Sequence, residues 1–297
     1  MNAFLKDILY FIGFFCILMV ILDIFIDYHP NEFSTKYNNW GKNRNITTTL
    51  LIGNSHIQAN VNADMIGDSA FNMAIGGSNI QQALSIACTY IPQMENLKTI
   101  IINFDYNNVY DTNGNLYTKE TCKRERGKSN WGDYLNYIHY RYLHAGTVLT
   151  RFDHAISCNQ IHYSTLLNNN LTDINLDKLD ETFHDNPYYS IPAINMDQYN
   201  KYVSSLAMIA KIASDNHLNL IIITSPAHNR FRSQTTKKNL ELMQFTMDSL
   251  SRIYPLRYKN YLFDTIFSQK DMYADIHHLT REGASIFAHI IKNDFDL

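Results

Sequence analysis

Cysteine is scarce in this sequence, and so is any excess of positive charge. The four cysteines, Cys16, Cys88, Cys122 and Cys158, form no C-x-x-C pair and no Cys/His ligand spacing, which argues against a structural zinc. With 25 basic against 28 acidic side chains the net charge is -3. Nucleic-acid binding wants a clearly basic face, so nucleic acid is excluded as the main partner. No internal repeat and no low-complexity tract occurs. No A-x-A-like cleavage site follows the N-terminal apolar run, and no lipoprotein pattern surrounds Cys16. Nothing in the sequence calls for a cofactor or a metal.

What is present is enough apolar material for a substantial core: 45% hydrophobic and 18% charged residues in 297. Tyrosine is abundant at 20 residues, and asparagine is frequent; both suit a polar, carbohydrate-facing surface. Residues 8–26 are almost wholly apolar, with Asp23 as the only charge. In a helix they would rise about 28 Å, close to the thickness of a bilayer core. They are expected to form an uncleaved membrane anchor (residues 1–27), the alternative being a buried core helix. The count of flanking positive charges does not fix the orientation. The short preceding stretch favours the amino terminus inside, with the domain extracytoplasmic, periplasmic or on the cell surface. Cys122 and Cys158 could pair in such an oxidising compartment; otherwise all four cysteines are free thiols.

Residues 28–47 are polar and irregular and read as a linker to a domain over 48–297. An apolar run, Thr49 to Ile52, predicts a buried strand that runs into Gly53-Asn54-Ser55-His56, with a short helix near 57–66. A second strand over Ala70 to Ile75 ends at Gly76-Gly77, a helix follows over 79–94, and Thr99 to Ile102 is a third strand. This alternation predicts an α/β fold, a three-layer sandwich on a mostly parallel sheet. The rhythm lapses over about 109–195, an insertion or cap. It carries the basic cluster Lys119, Lys123, Arg124, Arg126 and Lys128 and a tyrosine-rich stretch, Tyr134 to Tyr142. Those side chains could line a cleft for an anionic or sugar substrate, or simply be solvated. Helix 197–215, strand 218–224, helix 234–252, a short strand or extended stretch over 261–264 and helix 281–293 complete the chain.

Open α/β sheets place their chemistry at the carboxyl ends of the strands, where Ser55 falls. A serine hydroxyl is a weak nucleophile until a base takes its proton. Asp275 and His278 can supply that base: three residues apart, the carboxylate can reach one imidazole nitrogen and leave the other facing outward. His277 has Ala274 at the same offset and lacks that partner. Either motif alone is weak evidence, since Ser55 could merely cap the following helix. His56 and His228 read as surface or hydrogen-bonded histidines.

Together, Gly53-Asn54-Ser55-His56 and Asp275-x-x-His278-Leu279 with Gly283-Ala284 resemble the first and last blocks of the SGNH (GDSL-like) hydrolases. Asn72 to Gly77 is similar to their second block and Asp105-Tyr106-Asn107-Asn108 to their third. The resemblance covers roughly 48–108 and 197–293. It departs from the family at Asn54, where the family has aspartate, and at Asp105 and Asn108, where it has glycine and aspartate. It implies a catalytic triad of Ser55, His278 and Asp275, with oxyanion donors at Gly77 and Asn107. With a membrane anchor, the chain also looks like the membrane-bound proteins of alginate O-acetylation and lipoteichoic-acid D-alanylation. That implies an esterase or acyltransferase acting on O-acyl groups of an acylated glycan, with a membrane acyl-transfer protein as a possible partner. The other class of reading is a non-catalytic assembly or binding protein of an envelope polysaccharide machine.

Overall fold

The computed structural model describes residues 3–28, 32–76, 78–105, 196–268 and 270–297. Five parallel strands form one sheet: β1 (Thr49–Ile52), β2 (Ala70–Asn72), β3 (Thr99–Asn103), β4 (Asn219–Thr224) and β5 (Leu256–Asn260), in the order β2-β1-β3-β4-β5. The chain leaves β1 for β2 on one side and returns to β3 on the other. The strand order therefore reverses between β1 and β3, and a crevice opens at their carboxyl ends.

The strands are apolar because both faces of the sheet are covered. Leu50, Ile52, Ile100, Ile102, Leu220 and Ile222 point to one face. There they meet α5 (Ile80–Tyr90), α6 (Met196–Asp215) and α8 (Lys237–Ser251). Leu51, Ile101, Ile221 and Ile223 alternate to the other face. That face packs on α3 (Ser55–Asn60), α4 (Ala63–Ile66) and α9 (Arg281–Phe295), through Ile57, Ile66, Phe287 and Ile291. The expected three-layer α/β architecture is the observed one. Truncating any of these fully buried isoleucines to alanine costs about 2–5 kcal/mol.

Some elements differ from expectation. The helix expected near 57–66 is two short ones, broken at Val61 because the Asn62 side chain caps α4 by accepting from the Asp64 amide at 3.2 Å. The helix expected to reach residue 94 stops at Tyr90, and a 3-10 turn with Pro92 at its start follows. Residues 32–43, expected to be irregular, form helix α2 (Glu32–Asn43). Their local preference for turns is overridden by packing: Trp40 is buried and meets Tyr90 edge-on at 4.5 Å between ring centroids. The last strand is β5, and not the stretch at 261–264. β5 lies at the sheet edge with three of its five residues exposed, so it lacks the apolar run that marks the central strands.

Helix α1 (Ala3–Tyr28) carries the N-terminal apolar run; its 18-residue window Phe4–Ile21 has mean hydropathy 2.2, and none of it is buried. By length and composition it can cross a membrane, a property that a signal sequence shares. Cys16 is a free thiol. Cys122, Cys158, the basic cluster of 119–128 and the tyrosine-rich stretch lie outside the described residues.

The turn after β1 depends on Gly53. Its φ is +140°, a backbone region that side chains avoid, and a Cβ there would stand 2.0 Å from Asn103 Oδ1. Gly53→Ala should therefore destabilise the fold by about 2 kcal/mol or more, combining backbone strain with displacement of a buried amide. Denaturant unfolding of the purified protein reads this directly. A loss under about 0.5 kcal/mol would show that the turn has room the structure denies it.

Candidate active site

Helix α3 begins at Ser55, and the element that caps it is Asn54. The Asn54 side chain accepts from the His56 amide at 2.9 Å. The capping role open to a serine in this turn is thus taken by its neighbour. Among the described residues the half-buried Ser55 hydroxyl has no hydrogen-bond partner.

Asn54 is held in turn from β3. Asn103 donates to Asn54 Oδ1 at 2.9 Å and accepts from the Asn54 amide at 3.3 Å. The same Asn103 amide nitrogen donates to Asp105 Oδ2 at 2.5 Å. Asp105 is buried, and its other oxygen accepts from the Ser225 amide at 2.9 Å, which ties in the end of β4. Asp105 Oδ2 also lies 2.7 Å from His56 Nδ1. Far from being a surface residue, His56 is buried, and its Nε2 is 3.1 Å from His277 Nδ1.

The last block enters this crevice on a tight loop. Asp275 Oδ1 accepts from the amides of His277 at 2.8 Å and His278 at 2.7 Å. Asp275 Oδ2 is 2.7 Å from His278 Nδ1. His278 Nε2 is buried with no hydrogen-bond partner among the described residues, so Ser55 and His278 are not bonded to each other in this state. The loop is pinned to α3 by Asn60, which is wholly buried. Its amide donates to His277 O at 3.1 Å, and its oxygen accepts from the Leu279 amide at 2.8 Å. Helix α3 therefore carries Ser55 at its start and grips the His278 loop at its end.

The structure thus brings Asp275 and His278 together and sets their ring beside His56, 5.4 Å between centroids, one residue after Ser55. Gly77 and Asn107 lie outside the described residues. Within the second block, the Asn72 side chain donates to Ile57 O at 3.2 Å and accepts from the Ala74 amide at 2.9 Å, shaping the turn toward Gly76. His228 caps the short helix α7 (Asn229–Arg232). Sequence reasoning missed His56, His277, Asn60, Asn103 and Asp105 as parts of one site. The signal available was the adjacency of His56 to Ser55 and of His277 to His278.

Electrostatics sort the histidines. Burial alone would lower the pKa of His56, but the charge and hydrogen bond of Asp105, helped by Asp275, outweigh it and hold the value above the ordinary 6.5. Burial lowers His277 well below 6.5, and neighbouring His278 and His56 add to this against the opposing pull of Asp275. Burial would raise Asp275, but the charges of His277 and His278, the His278 side chain and the His277 amide hold it well below the usual carboxylate range. Of the bonded pair, His56 is the imidazole that accepts a proton more readily.

No protein-family model matches the chain, and no curated protein sequence matches it. Among solved structures, it is similar to a protein assigned as an acylhydrolase from Bacteroides fragilis, at 11% identity and TM-score 0.45 over 87% of this chain and 95% of that one. It is similar to a GDSL-like lipase from Bacteroides thetaiotaomicron, at 11% identity and TM-score 0.46 over 88% and 97%. A third, assigned as a platelet activating factor from Streptococcus pneumonia, matches at 11% identity and TM-score 0.45 over 94% and 98%. At these values the reading of the site rests on this chain's own side chains.

The pKa directions set a pH dependence. The raised His56 contributes stability that is full below pH 6.5 and lost as pH rises through its folded value. The lowered His277 acts oppositely: below pH 6.5 the unfolded chain takes a proton that the folded chain refuses, and stability falls. The Asp275 contribution, present above its ordinary 3.8, is lost only in strong acid. Thermal melts should therefore show stability declining from pH 6.5 to pH 5, with a shallower decline in His277→Gln. A flat wild-type profile over that window would refute the assignment.

Proposed function

We propose that the protein is a serine esterase or O-acyltransferase, anchored in the membrane through residues 8–26 and acting on O-acyl groups of a cell-surface or exported polysaccharide. The observation that carries this is the Asp275–His278 pair, whose outer nitrogen is buried and has no partner among the described residues, in the crevice that α3 and Ser55 border. A buried ring nitrogen without a partner is costly, and such exceptions mark working groups.

In this mechanism His278 Nε2 accepts the Ser55 proton as Oγ attacks the ester carbonyl. Such bonds commonly tighten only once substrate is bound. Asp275 holds the tautomer and stabilises the imidazolium. The Ser55 backbone amide at the start of α3 faces the forming oxyanion, and Gly77 and Asn107 are the further donors, each worth about 2.7–4 kcal/mol of barrier. The proton passes from His278 to the departing alkoxide, leaving an acyl ester on Ser55. Water, or a sugar hydroxyl, then takes the acyl group. The polysaccharide substrate and a membrane acyl-transfer partner are supported by the resemblance to envelope polymer-modification proteins and by the tyrosine-rich and basic stretches of the insertion.

Fluorophosphonate labelling tests the nucleophile. The wild type should label at Ser55, while Ser55→Ala and His278→Ala should each lose activity by orders of magnitude. Their double variant should be scarcely worse than either, because residues that act as one unit are non-additive. Asp275→Asn should lose less, by roughly 10⁴-fold, as in comparable triads. Full biological function in a Ser55→Ala strain would sink the catalytic reading and leave a non-catalytic assembly protein in its place.

Placement is tested separately. Protease added to intact spheroplasts should digest the domain beyond residue 28. Complete protection until lysis would put the domain on the cytoplasmic side.

A further inference from the structure

Three imidazoles converge in the crevice, and catalysis by Ser55 needs only one of them. His56, His277 and His278 are all buried, and each offers one ring nitrogen such that the three lie within 4.8 Å of one another. We propose that these three histidines bind a divalent transition-metal ion of the zinc class, with a fourth position left open to solvent or ligand. The proposal does not depend on the esterase reading, since it rests on the cluster and not on Ser55.

The nitrogens available are set by what the others already do. His56 Nδ1 is engaged with Asp105 and His278 Nδ1 with Asp275, each at 2.7 Å. A carboxylate behind the far nitrogen of a ligating histidine is the recurrent outer-shell arrangement of protein zinc sites: it fixes the tautomer and makes the near nitrogen a better ligand. Here it occurs twice, on carboxylates that are themselves held by backbone amides: Ser225 for Asp105, and His277 and His278 for Asp275. Both Nε2 atoms are thereby aimed away from their carboxylates. That of His278 is buried without a partner among the described residues, and that of His56 is 3.1 Å from His277 Nδ1.

The spacing suits one ion. Zinc binds imidazole nitrogen at about 2.0–2.1 Å, which places two tetrahedral ligands about 3.3 Å apart. The 3.1 Å pair is already close to that, and a ring nitrogen of His278 lies within 4.8 Å of ring nitrogens of the other two. Two protonated nitrogens cannot share an ion, so binding displaces the proton held between His56 and His277, with His277 carrying its remaining proton on Nε2. Three nitrogens with no thiolate favour zinc, cobalt, nickel or copper over magnesium or calcium. The consequence for the neighbouring serine is direct: an ion on His278 Nε2 occupies the lone pair that would take the Ser55 proton. Metal and serine chemistry then exclude one another.

The test uses the full-length protein in detergent, stripped with a chelator. After equilibration with zinc in excess magnesium and removal of free metal, elemental analysis should find one zinc per chain. Cobalt substituted for zinc should show the intense visible bands of a tetrahedral nitrogen site. His277→Gln should weaken zinc binding at least 100-fold, and Asp105→Asn by about 10–100-fold, the usual effect of an outer-shell partner. If His277→Gln fails to fold by circular dichroism, the wild-type cobalt spectrum and Asp105→Asn still decide. Fluorophosphonate labelling run in parallel separates the two proposals. Zinc bound with labelling suppressed supports both. Zinc bound with no labelling under any condition supports the metal site and removes the serine reading. No zinc retained by the wild type, or equal retention in both variants, overturns the metal site whatever the labelling shows.

Discussion

The site is assembled by one buried amide. Asn60 spans more than two hundred residues of sequence to bond the backbone on both sides of His278. A side-chain amide with one donor and one acceptor matches a passing strand of backbone, which presents a carbonyl and then an N–H. No apolar residue could do this, because His277 O and the Leu279 amide would be left buried and unsatisfied, at about 1–3 kcal/mol each. Asn60 sits five residues after Ser55 on a helix of only six. The rigid turn and a half between them fixes the distance from serine to loop. The position of His278 relative to Ser55 therefore follows from helix geometry, and the Asp275 carboxylate then fixes the ring within its own loop.

A second constraint couples Asn54 and Asp105, two of the three positions at which the sequence departs from the SGNH motif it resembles. Asn54 and Asp105 both accept from one nitrogen, that of Asn103. An aspartate at 54 would set a second buried carboxylate beside Asp105 with only that neutral amide between them. Like charges so close cannot both stay ionised. The neutral amide at 54 thus accompanies the charge at 105, and the charge at 105 in turn holds His56. Read singly, each substitution looks like decay of a motif. In the fold the two residues belong to one network, which holds a neutral amide beside the serine and a carboxylate behind a histidine.

How far the sequence revealed this depended on the range of each interaction. β1, β3 and β4 were legible because a strand buried on both faces is an unbroken apolar run. β5 was not, because its edge position leaves Arg257 and Lys259 exposed. Helix α2 was illegible because its asparagines favour turns, and only the burial of Trp40 against Tyr90 makes it helical. At the site, Asp275-x-x-His278 could be read because its hydrogen bond closes within three residues. Asn60 and His56 act on partners 49 or more residues away, Asn103 joins its neighbour Asp105 to Asn54 at the same range, and nothing local distinguishes them from other polar residues.

The cluster is costly to keep. Five buried side chains, Asp105, His56, His277, His278 and Asp275, occupy a crevice that apolar residues could fill at lower desolvation cost. Its arrangement explains the cost in electrostatic terms. Two carboxylates stand behind the rings, and among the described residues no lysine or arginine is bonded to either; their partners are histidines, backbone amides and the Asn103 side chain. The site is thus negative at its back and presents imidazole nitrogens at its front. Such a layer stabilises positive charge arriving on the rings. A proton taken from a hydroxyl in acyl transfer and an ion captured from solution are the two forms such a charge can take. Both draw on the same preorganised carboxylates, which makes one geometry consistent with both.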